Sequence, residues 1–194
     1  MGYHRAGFEV VGVDIKPQPH YPFEFHQADA LTYPLDGFDA YHASPPCQGY
    51  SATANLPWLV DKEYPLLILP TRLMLQATGE HYVIENVTRA RHGSRQLETR
   101  GISEHGMDAG VLCGCMFGLP FYLERLFETS FLWWQPLHQK HNGLTKGRMF
   151  GARLRTAQEA KQRLLPWMDK QEASEAIPPS YTEYIGKYLL EALR

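Results

Sequence analysis

The chain has 194 residues, of which 44% are hydrophobic and 12% aromatic, so it is long and apolar enough to bury a substantial core in one main domain. No apolar run approaches the ~18 residues that span a bilayer, which argues against a membrane protein. Three cysteines, an odd number, supply no disulfide framework, and we therefore expect a reducing, cytoplasmic compartment.

The formal net charge of -2 hides an uneven distribution of charge along the chain. Acidic side chains outnumber basic ones over residues 1–63, whereas basic side chains dominate residues 140–163, where Glu159 is the only acid. The basic segment 140–163 indicates either a phosphate-binding surface or a solvated helix face.

The first half of the chain alternates predicted strands and helices. Buried strands are predicted over residues 8–14, 38–43 and 81–86, and a helix over residues 71–79. Strand, helix and strand at this spacing indicate an α/β fold with a largely parallel sheet, in which ligands bind at the carboxyl ends of the strands. Asp14, the loop that carries Cys47, and Glu85 all fall at such ends.

The second half is predicted to contain strands over residues 111–119 and 125–133. An irregular stretch, residues 133–151, then has the character of a recognition loop or small insert. Three helix starts follow, each with a capping box that joins an N-cap side chain to a glutamate three residues later. The capping boxes pair Thr156 with Glu159, Asp169 with Glu172, and Ser180 with Glu183.

Cys47 lies in the stretch "SPPCQGYS", directly after two prolines. Pro45 and Pro46 fix their own φ angles and favour an extended residue before them, so this stretch predicts a stiff turn that presents the thiol in a set direction. The turn is consistent with a nucleophile, but the motif by itself favours a cysteine that happens to follow a turn.

Glu85 closes the otherwise apolar strand "HYVIEN". A carboxylate in that position is poorly solvated, which raises its pKa and suits it to share a proton with a bound base. The alternatives are a surface acid at a strand end, or an acid paired with Arg89 or Arg91. Together, Cys47 and Glu85 on neighbouring strand ends predict a pocket with a nucleophile and an acid.

The stretches "SPPCQGYS" and "VIENV" resemble the catalytic motifs of cytosine-C5 DNA methyltransferases, particularly the short phage-encoded kind. The resemblance continues in the family's order through "GFEVVGVDI", "QADAL", "LCGCMFGLP", "ERLFETSF" and "AIPPSYTEYIG", and so covers nearly the whole chain. It implies a Rossmann-like, S-adenosylmethionine-dependent methyltransferase fold in the cytoplasm of a bacterium or a phage-infected cell.

In this family a cysteine thiolate adds to carbon 6 of a cytosine that has left the duplex, because carbon 5 is too weak a nucleophile to take the methyl group directly. The resemblance makes Cys47 the nucleophile. It makes Glu85 the group that holds the amino edge and ring nitrogen 3, and Arg125 the group that binds the carbonyl oxygen of the base.

The resemblance also implies binding residues for the cofactor and for double-stranded DNA. Asp14 is assigned to the ribose hydroxyls of S-adenosylmethionine and Asp29 to its adenine amino group. The other cofactor-binding residues implied are Ile15, Ala30, Pro46, Tyr181 and Thr182. The implied DNA-binding residues are Gln48, Ser51, Arg89, Arg91, Lys146, Arg148, Arg153 and Arg155.

Two departures from the family are visible. Leu123 stands where the family usually has an arginine two positions before Arg125. The chain also begins inside the helix that ends in "GYHRAGF", so we expect it to lack the first central strand and the Gly-rich turn that holds the cofactor, and its activity to be impaired. The predicted division is a catalytic domain at 1–131, a small target-recognition region at 132–169, and a helical segment at 170–194 that packs back on the catalytic domain.

Other functions stay open at this stage. A catalytically inactive, methyltransferase-like DNA-binding protein would share the motifs, and an RNA cytosine substrate would be read through the same base contacts. Thymidylate synthases also have a "PPC" cysteine, but theirs precedes a histidine, whereas Gln48 follows here. Cys113 and Cys115 lie in an apolar stretch without a CxxC partner, so we expect core packing there and no metal site.

Overall fold

The computed structural model describes residues 1–51, 63–93, 106–146 and 164–194, and in these ranges the chain is a mixed α/β protein. The described strands are β1 (Val11–Asp14), β2 (Glu24–Gln27), β3 (Ala40–Ala43), β4 (His81–Asn86), β5 (Gly110–Leu112), β6 (Phe121–Tyr122), β7 (Arg125–Thr129) and β8 (Thr145–Lys146). The described α-helices are α1 (Gly2–Ala6), α2 (Ile68–Thr78), α3 (Lys170–Glu175) and α4 (Pro179–Ala192). None of these helices is long and apolar enough to cross a membrane.

The chain divides into two compact units, each built from separate stretches. The first unit comprises residues 1–34, 112–123 and 133–194, and the second comprises residues 35–111 and 124–132. Since these units are interleaved along the chain, they do not correspond one to one with the three predicted domains, and that division stays a prediction.

The second unit is built on a four-stranded sheet with the order β3-β4-β7-β5. β3 and β4 are parallel, with Ala43 opposite Ile84, whereas β4 and β7 are antiparallel, with Glu85 opposite Phe127. The expectation of parallel pairing is therefore confirmed for β3 and β4, and β7 makes the sheet a mixed one.

A hydrophobic core lies between this sheet and α2. Its buried members are Tyr50, Ile68, Leu75, Tyr82, Ile84, Ala90, Met107 and Leu126. α2 begins at Ile68, earlier than the predicted 71, because Pro70 lies in its first turn, where a missing N–H costs no intrahelical hydrogen bond. It ends before Gly79, whose φ of 80° is the left-handed conformation that glycine adopts without strain.

The first unit contains the parallel pair β1 and β2 and the packed helices α1 and α4. α1 ends at Ala6 and is capped by Gly7, and the N–H of Phe8 donates to the carbonyl of Tyr3 over 3.1 Å. Phe8 belongs to this cap, and pairing with β2 begins only at Val11, opposite Glu24, so β1 is shorter than the predicted strand 8–14.

Two predictions for the second half are wrong. Residues 111–119 do not form one strand: the chain leaves β5 after Leu112 and turns through a 3₁₀ helix at Gly114–Phe117. This turn brings Gly114 so close to the carbonyl of Phe121 that a Cβ at position 114 would collide with it. Ser180 is not an N-cap, since α4 already begins at Pro179, and its buried hydroxyl has no hydrogen-bond partner among the described residues.

The capping box at the start of α3 is confirmed. The N–H of Glu172 donates to Asp169 Oδ1 and the N–H of Asp169 donates to Glu172 Oε2, each over 2.8 Å. The remaining predicted box, Thr156 with Glu159, lies outside the described residues.

Candidate active site

The carboxyl ends of β3 and β4 meet at one edge of the sheet in the second unit, because the two strands are parallel. The chain that leaves β3 passes through the two prolines to Cys47, which begins a 3₁₀ turn at Gln48–Tyr50. Cys47 is only partly buried, and its carbonyl accepts from the N–H of Tyr50 over 3.1 Å. The predicted stiff turn is thus present, and Cys47 is not enclosed in the core.

The Cys47 loop is anchored on both sides of the thiol. On one side, Asn86 at the end of β4 donates from Nδ2 to the carbonyl of Pro45 over 2.9 Å. On the other side, Tyr50 is buried in the core, and its hydroxyl accepts from the N–H of Ile68 over 3.2 Å. These contacts hold the loop against the strand that carries Glu85.

Glu85 forms a nearly buried ion pair with Arg125 of the neighbouring strand β7. Glu85 is 6% exposed, and its Oε1 lies 3.0 Å from Arg125 Nε. The pair joins β4 to β7 because Phe127, opposite Glu85 in the antiparallel register, is two residues from Arg125 on the same face of the strand. Arg125 is further held by a 2.9 Å bond from its Nη1 to the carbonyl of Glu124.

Burial raises the pKa of Glu85 above its ordinary value, although the Arg125 guanidinium and a hydrogen bond with the Ser44 side chain act in the opposite direction. Ser44 stands three residues before Cys47, so the same short loop contacts the acid and presents the thiol. A carboxyl that retains its proton to higher pH can share that proton with a basic ring nitrogen.

We predict that the Glu85 carboxyl titrates above 4.5, the value for an ordinary glutamate, and that Arg125→Met moves its pKa higher still. Between the unfolded and folded pKa values the folded state binds more protons, so the free energy of unfolding falls as the pH rises through that interval. Carbon-13 NMR of the labelled carboxyl measures the pKa, and Glu85→Gln should abolish the corresponding fall in stability. Titration of Glu85 at or below 4.5 would contradict this account.

The first unit brings together the two acids predicted to bind a nucleoside. Asp14 ends β1 and Asp29 follows β2, its parallel neighbour, so both leave the same edge of the strand pair. Asp14 accepts from the N–H of Lys16 over 2.8 Å and from Gln18 Nε2 over 3.2 Å, and Asp29 accepts from the N–H of Leu31 over 2.9 Å. These bonds fix the direction of each carboxylate.

The other predicted cofactor residues differ in exposure. Ile15 is 66% exposed and Ala30 is also exposed, whereas Tyr181 is fully buried and its hydroxyl donates to the carbonyl of Leu123 over 2.6 Å. Thr182 donates to the carbonyl of Pro179, one turn back in α4. Pro46 is exposed and lies in the second unit, whereas the other six belong to the first.

The predicted DNA-binding residues are only partly described. Gln48 is exposed and Ser51 half-buried, on either side of the 3₁₀ turn after Cys47. Arg89 and Arg91 lie on a 3₁₀ helix at Thr88–His92, directly after the strand of Glu85, and Arg91 donates to the carbonyl of Ala109 over 2.6 Å. Lys146 ends β8. Arg148, Arg153 and Arg155 lie outside the described residues.

Sequence reasoning missed Ser44 and the contact by which Asn86 anchors the Cys47 loop. Their side chains bond across the ends of adjacent strands, and the position of these two polar residues at the ends of two neighbouring strands is the signal that could have identified them. It also missed a second cluster, in the first unit, where Cys113 and Cys115 lie with His138 and His141. The spacings C-x-C and H-x-x-H are the signal there.

Comparison of the chain with protein-family models, with curated proteins and with solved structures finds no match. The functional assignment therefore depends on the motifs of the sequence and on the geometry of the side chains described above.

Proposed function

We propose that the chain is a DNA cytosine-C5 methyltransferase with a Rossmann-like fold, and that Cys47 is its nucleophile. The observation that carries this proposal is the Cys47 loop, which leaves β3 and is anchored to the end of β4. Glu85 of β4 forms a nearly buried ion pair with Arg125. The resemblance of "SPPCQGYS" and "VIENV" to the family's motifs supports the same assignment for the same residues. The parallel pairs β1-β2 and β3-β4, with acidic or nucleophilic residues after their strands, are compatible with the proposed fold.

The chemistry begins with addition of the Cys47 thiolate to carbon 6 of the cytosine. The thiolate supplies the electron pair of the new S–C6 bond, and the π electrons of the C5–C6 double bond are displaced toward carbon 5 and ring nitrogen 3, which makes carbon 5 nucleophilic. After carbon 5 has gained a methyl group, loss of its hydrogen as a proton restores the double bond and expels Cys47. The thiol is thereby regenerated for the next cycle.

Glu85 and Arg125 stabilise the charge that this addition creates. The Glu85 carboxyl donates its proton to ring nitrogen 3 as negative charge develops there, a role that its raised pKa favours. A guanidinium carries five N–H donors, so Arg125 can hold Glu85 and also donate to the carbonyl oxygen of the base. A base in a DNA duplex must leave the stack to reach these groups.

The nucleoside part of S-adenosylmethionine fits the acids of the first unit. Asp14 would accept hydrogen bonds from the ribose hydroxyls, Asp29 would accept from the adenine amino group, and exposed Ile15 offers an apolar contact to the adenine ring. S-adenosylmethionine, when bound, supplies the methyl group. The residues after two parallel strands are thus suited to orient a nucleoside.

We predict that Asp14→Asn weakens S-adenosylmethionine binding about 10- to 100-fold, the loss expected for hydrogen bonds to a charged acceptor. Isothermal titration calorimetry measures the dissociation constant. Glu24→Gln is the matched control, because Glu24 is an exposed carboxylate on β2 that pairs with His26. Equal affinities for Asp14→Asn and the unmodified chain would remove Asp14 from the binding site.

Double-stranded DNA is the proposed partner. Arg89 and Arg91 follow the strand of Glu85, and the basic segment 140–163 would add phosphate contacts. Binding should accordingly weaken as the salt concentration rises.

The proposal is tested by incubating the chain with random-sequence duplex DNA and S-adenosylmethionine that carries a deuterated methyl group. Mass spectrometry of the digested DNA should then detect trideuterated 5-methylcytosine, and a parallel reaction with RNA tests the alternative substrate. Label on adenine, or on the exocyclic nitrogen of cytosine, would exclude C5 chemistry. A chain that binds the cofactor and DNA but transfers no label would be a binding protein and not this enzyme.

A further inference from the structure

Four potential metal ligands converge in the first unit, and the methyltransferase proposal gives none of these four side chains a role. Cys113 follows β5, Cys115 lies in the 3₁₀ helix Gly114–Phe117, and His138 and His141 lie in the irregular stretch before β8. One ligand atom of each residue lies within 4.8 Å of the corresponding atom of every other. We call these four residues the Cys/His cluster.

The two cysteines are positioned by the turn between β5 and β6. The N–H of Met116 donates to the carbonyl of Cys113 and the N–H of Leu119 to the carbonyl of Gly114, each over 3.0 Å. Gly118, with a φ of 66°, ends the turn in the left-handed conformation. This C-x-C turn therefore has its own hydrogen bonds, and its shape does not depend on the histidines.

The histidine His141 is positioned by different contacts. Its ring stacks on Tyr122 of β6, with ring centroids 4.0 Å apart and planes inclined by 10°. Its carbonyl accepts from the N–H of Leu144 over 3.2 Å, and β6 pairs in parallel with β8 just beyond. Since separate contacts bring the cysteines and His141 together, their convergence is built into the fold.

The distances between the ligand atoms approach those of a tetrahedral zinc site. His138 Nε2 lies 2.9 Å from His141 Nε2, and Cys113 Sγ lies 3.4 Å from the same nitrogen. Tetrahedral Zn²⁺ with ordinary bond lengths places two nitrogens about 3.4 Å apart, and a nitrogen and a sulfur about 3.6 Å apart. An increase of about half an ångström or less in each of these two distances would therefore make room for the ion.

We propose that Cys113, Cys115, His138 and His141 bind one Zn²⁺ ion in a structural site. Two thiolates and two imidazoles are a donor set that selects zinc over oxygen-seeking Mg²⁺ or Ca²⁺. Four protein ligands complete the tetrahedron and leave no position for a reactive water, so the ion fastens the stretch that carries the histidines to the C-x-C turn. Each thiol coordinates as a thiolate, and its proton passes to solvent when the metal binds.

The direct test is the absorption spectrum of the metal-free chain titrated with Co²⁺, a spectroscopic substitute for Zn²⁺. The unmodified chain should gain thiolate-to-cobalt charge-transfer absorption and the strong visible bands of tetrahedral cobalt, saturating at one ion per chain. The purified chain should also contain about one zinc per molecule by elemental mass spectrometry. Absence of the charge-transfer absorption in the unmodified, folded chain would overturn the proposal.

Single substitutions then locate the ligands. Cys115→Ser and His138→Asn should each lose most of the bound zinc, with a weaker or altered cobalt spectrum. Cys47→Ser is the matched thiol control, because Cys47 is the one remaining cysteine, and His26→Asn removes an exposed histidine of the same unit. Both controls should bind metal normally. Loss of the cobalt spectrum in Cys47→Ser would show that Cys47 is a metal ligand and would contradict the proposed site. Because these readouts measure metal, they are independent of methyl transfer.

Discussion

Replacement of Cys47 by alanine is expected to abolish addition to cytosine while leaving the fold intact. Reversible thiolate addition to carbon 6 lets carbon 5 take up a proton from solvent, so the intact site should exchange the C5 hydrogen of cytosine for deuterium in heavy water. Loss of the nucleophile should slow this exchange at least about 10⁴-fold, the scale seen when other enzymes lose theirs. Mass spectrometry of the recovered DNA measures the exchange, and no methyl donor is needed.

A matched pair of carboxylates separates chemistry from folding. Glu85 and Glu128 lie on the paired strands β4 and β7, both are buried, and each forms an ion pair with an arginine. Glu85→Gln should slow C5 exchange about 10²- to 10⁴-fold, the usual contribution of general acid catalysis. Glu128→Gln should leave the exchange rate of the folded chain unchanged, and equal losses in both variants would show that Glu85 has only a structural role.

The largest effect on stability is expected at the ion pair between Arg72 of α2 and Glu128 of β7. Arg72 Nε and Nη2 lie 2.6 and 2.8 Å from the two carboxylate oxygens of Glu128, and the side chains are 11% and 9% exposed. Arg72→Met would leave a buried carboxylate without its cation, which typically costs about 3–5 kcal/mol. Urea unfolding followed by circular dichroism measures this loss.

The double variant Arg72→Met/Glu128→Leu is the control for that interpretation. Removing both charges leaves no buried ion uncompensated, so most of the lost stability should return. The pair would be unimportant if the single variant Arg72→Met changed the free energy of unfolding by less than about 1 kcal/mol, the upper range of an exposed salt bridge.

Strand β4 and the Cys47 turn could be predicted from sequence because both depend on local features. β4 spans the predicted residues 81–86, and Tyr82–Asn86 are buried at every position. The apolar residues Tyr82–Ile84, bounded by the turn at Gly79, were a sufficient signal. The two prolines likewise determine the local backbone before Cys47. Predictions of this kind need no knowledge of which elements become neighbours.

The partner of Glu85 could not be predicted in the same way. Arg89 and Arg91 were the candidates because they are near in sequence, yet the ion pair forms with Arg125, which the antiparallel register of β4 and β7 brings alongside. The Cys/His cluster has the same origin, since a turn and the short parallel pair β6-β8 join residues some 25 positions apart. Two-residue strands carry no detectable periodicity, so sequence alone did not reveal this pairing.

The most direct test of the central claim, that Cys47 attacks cytosine and is later released, is to trap the covalent adduct. Random-sequence duplex DNA that contains 5-fluorocytosine is incubated with the chain and S-adenosylmethionine. Fluorine on carbon 5 cannot leave as a cation, so the elimination that frees Cys47 is blocked and the S–C6 bond persists. Mass spectrometry should find one chain joined to one DNA strand with one added methyl group, and peptide mapping should place the bond on Cys47. A chain that binds DNA and S-adenosylmethionine yet forms no adduct, or forms it on another residue, would contradict the account.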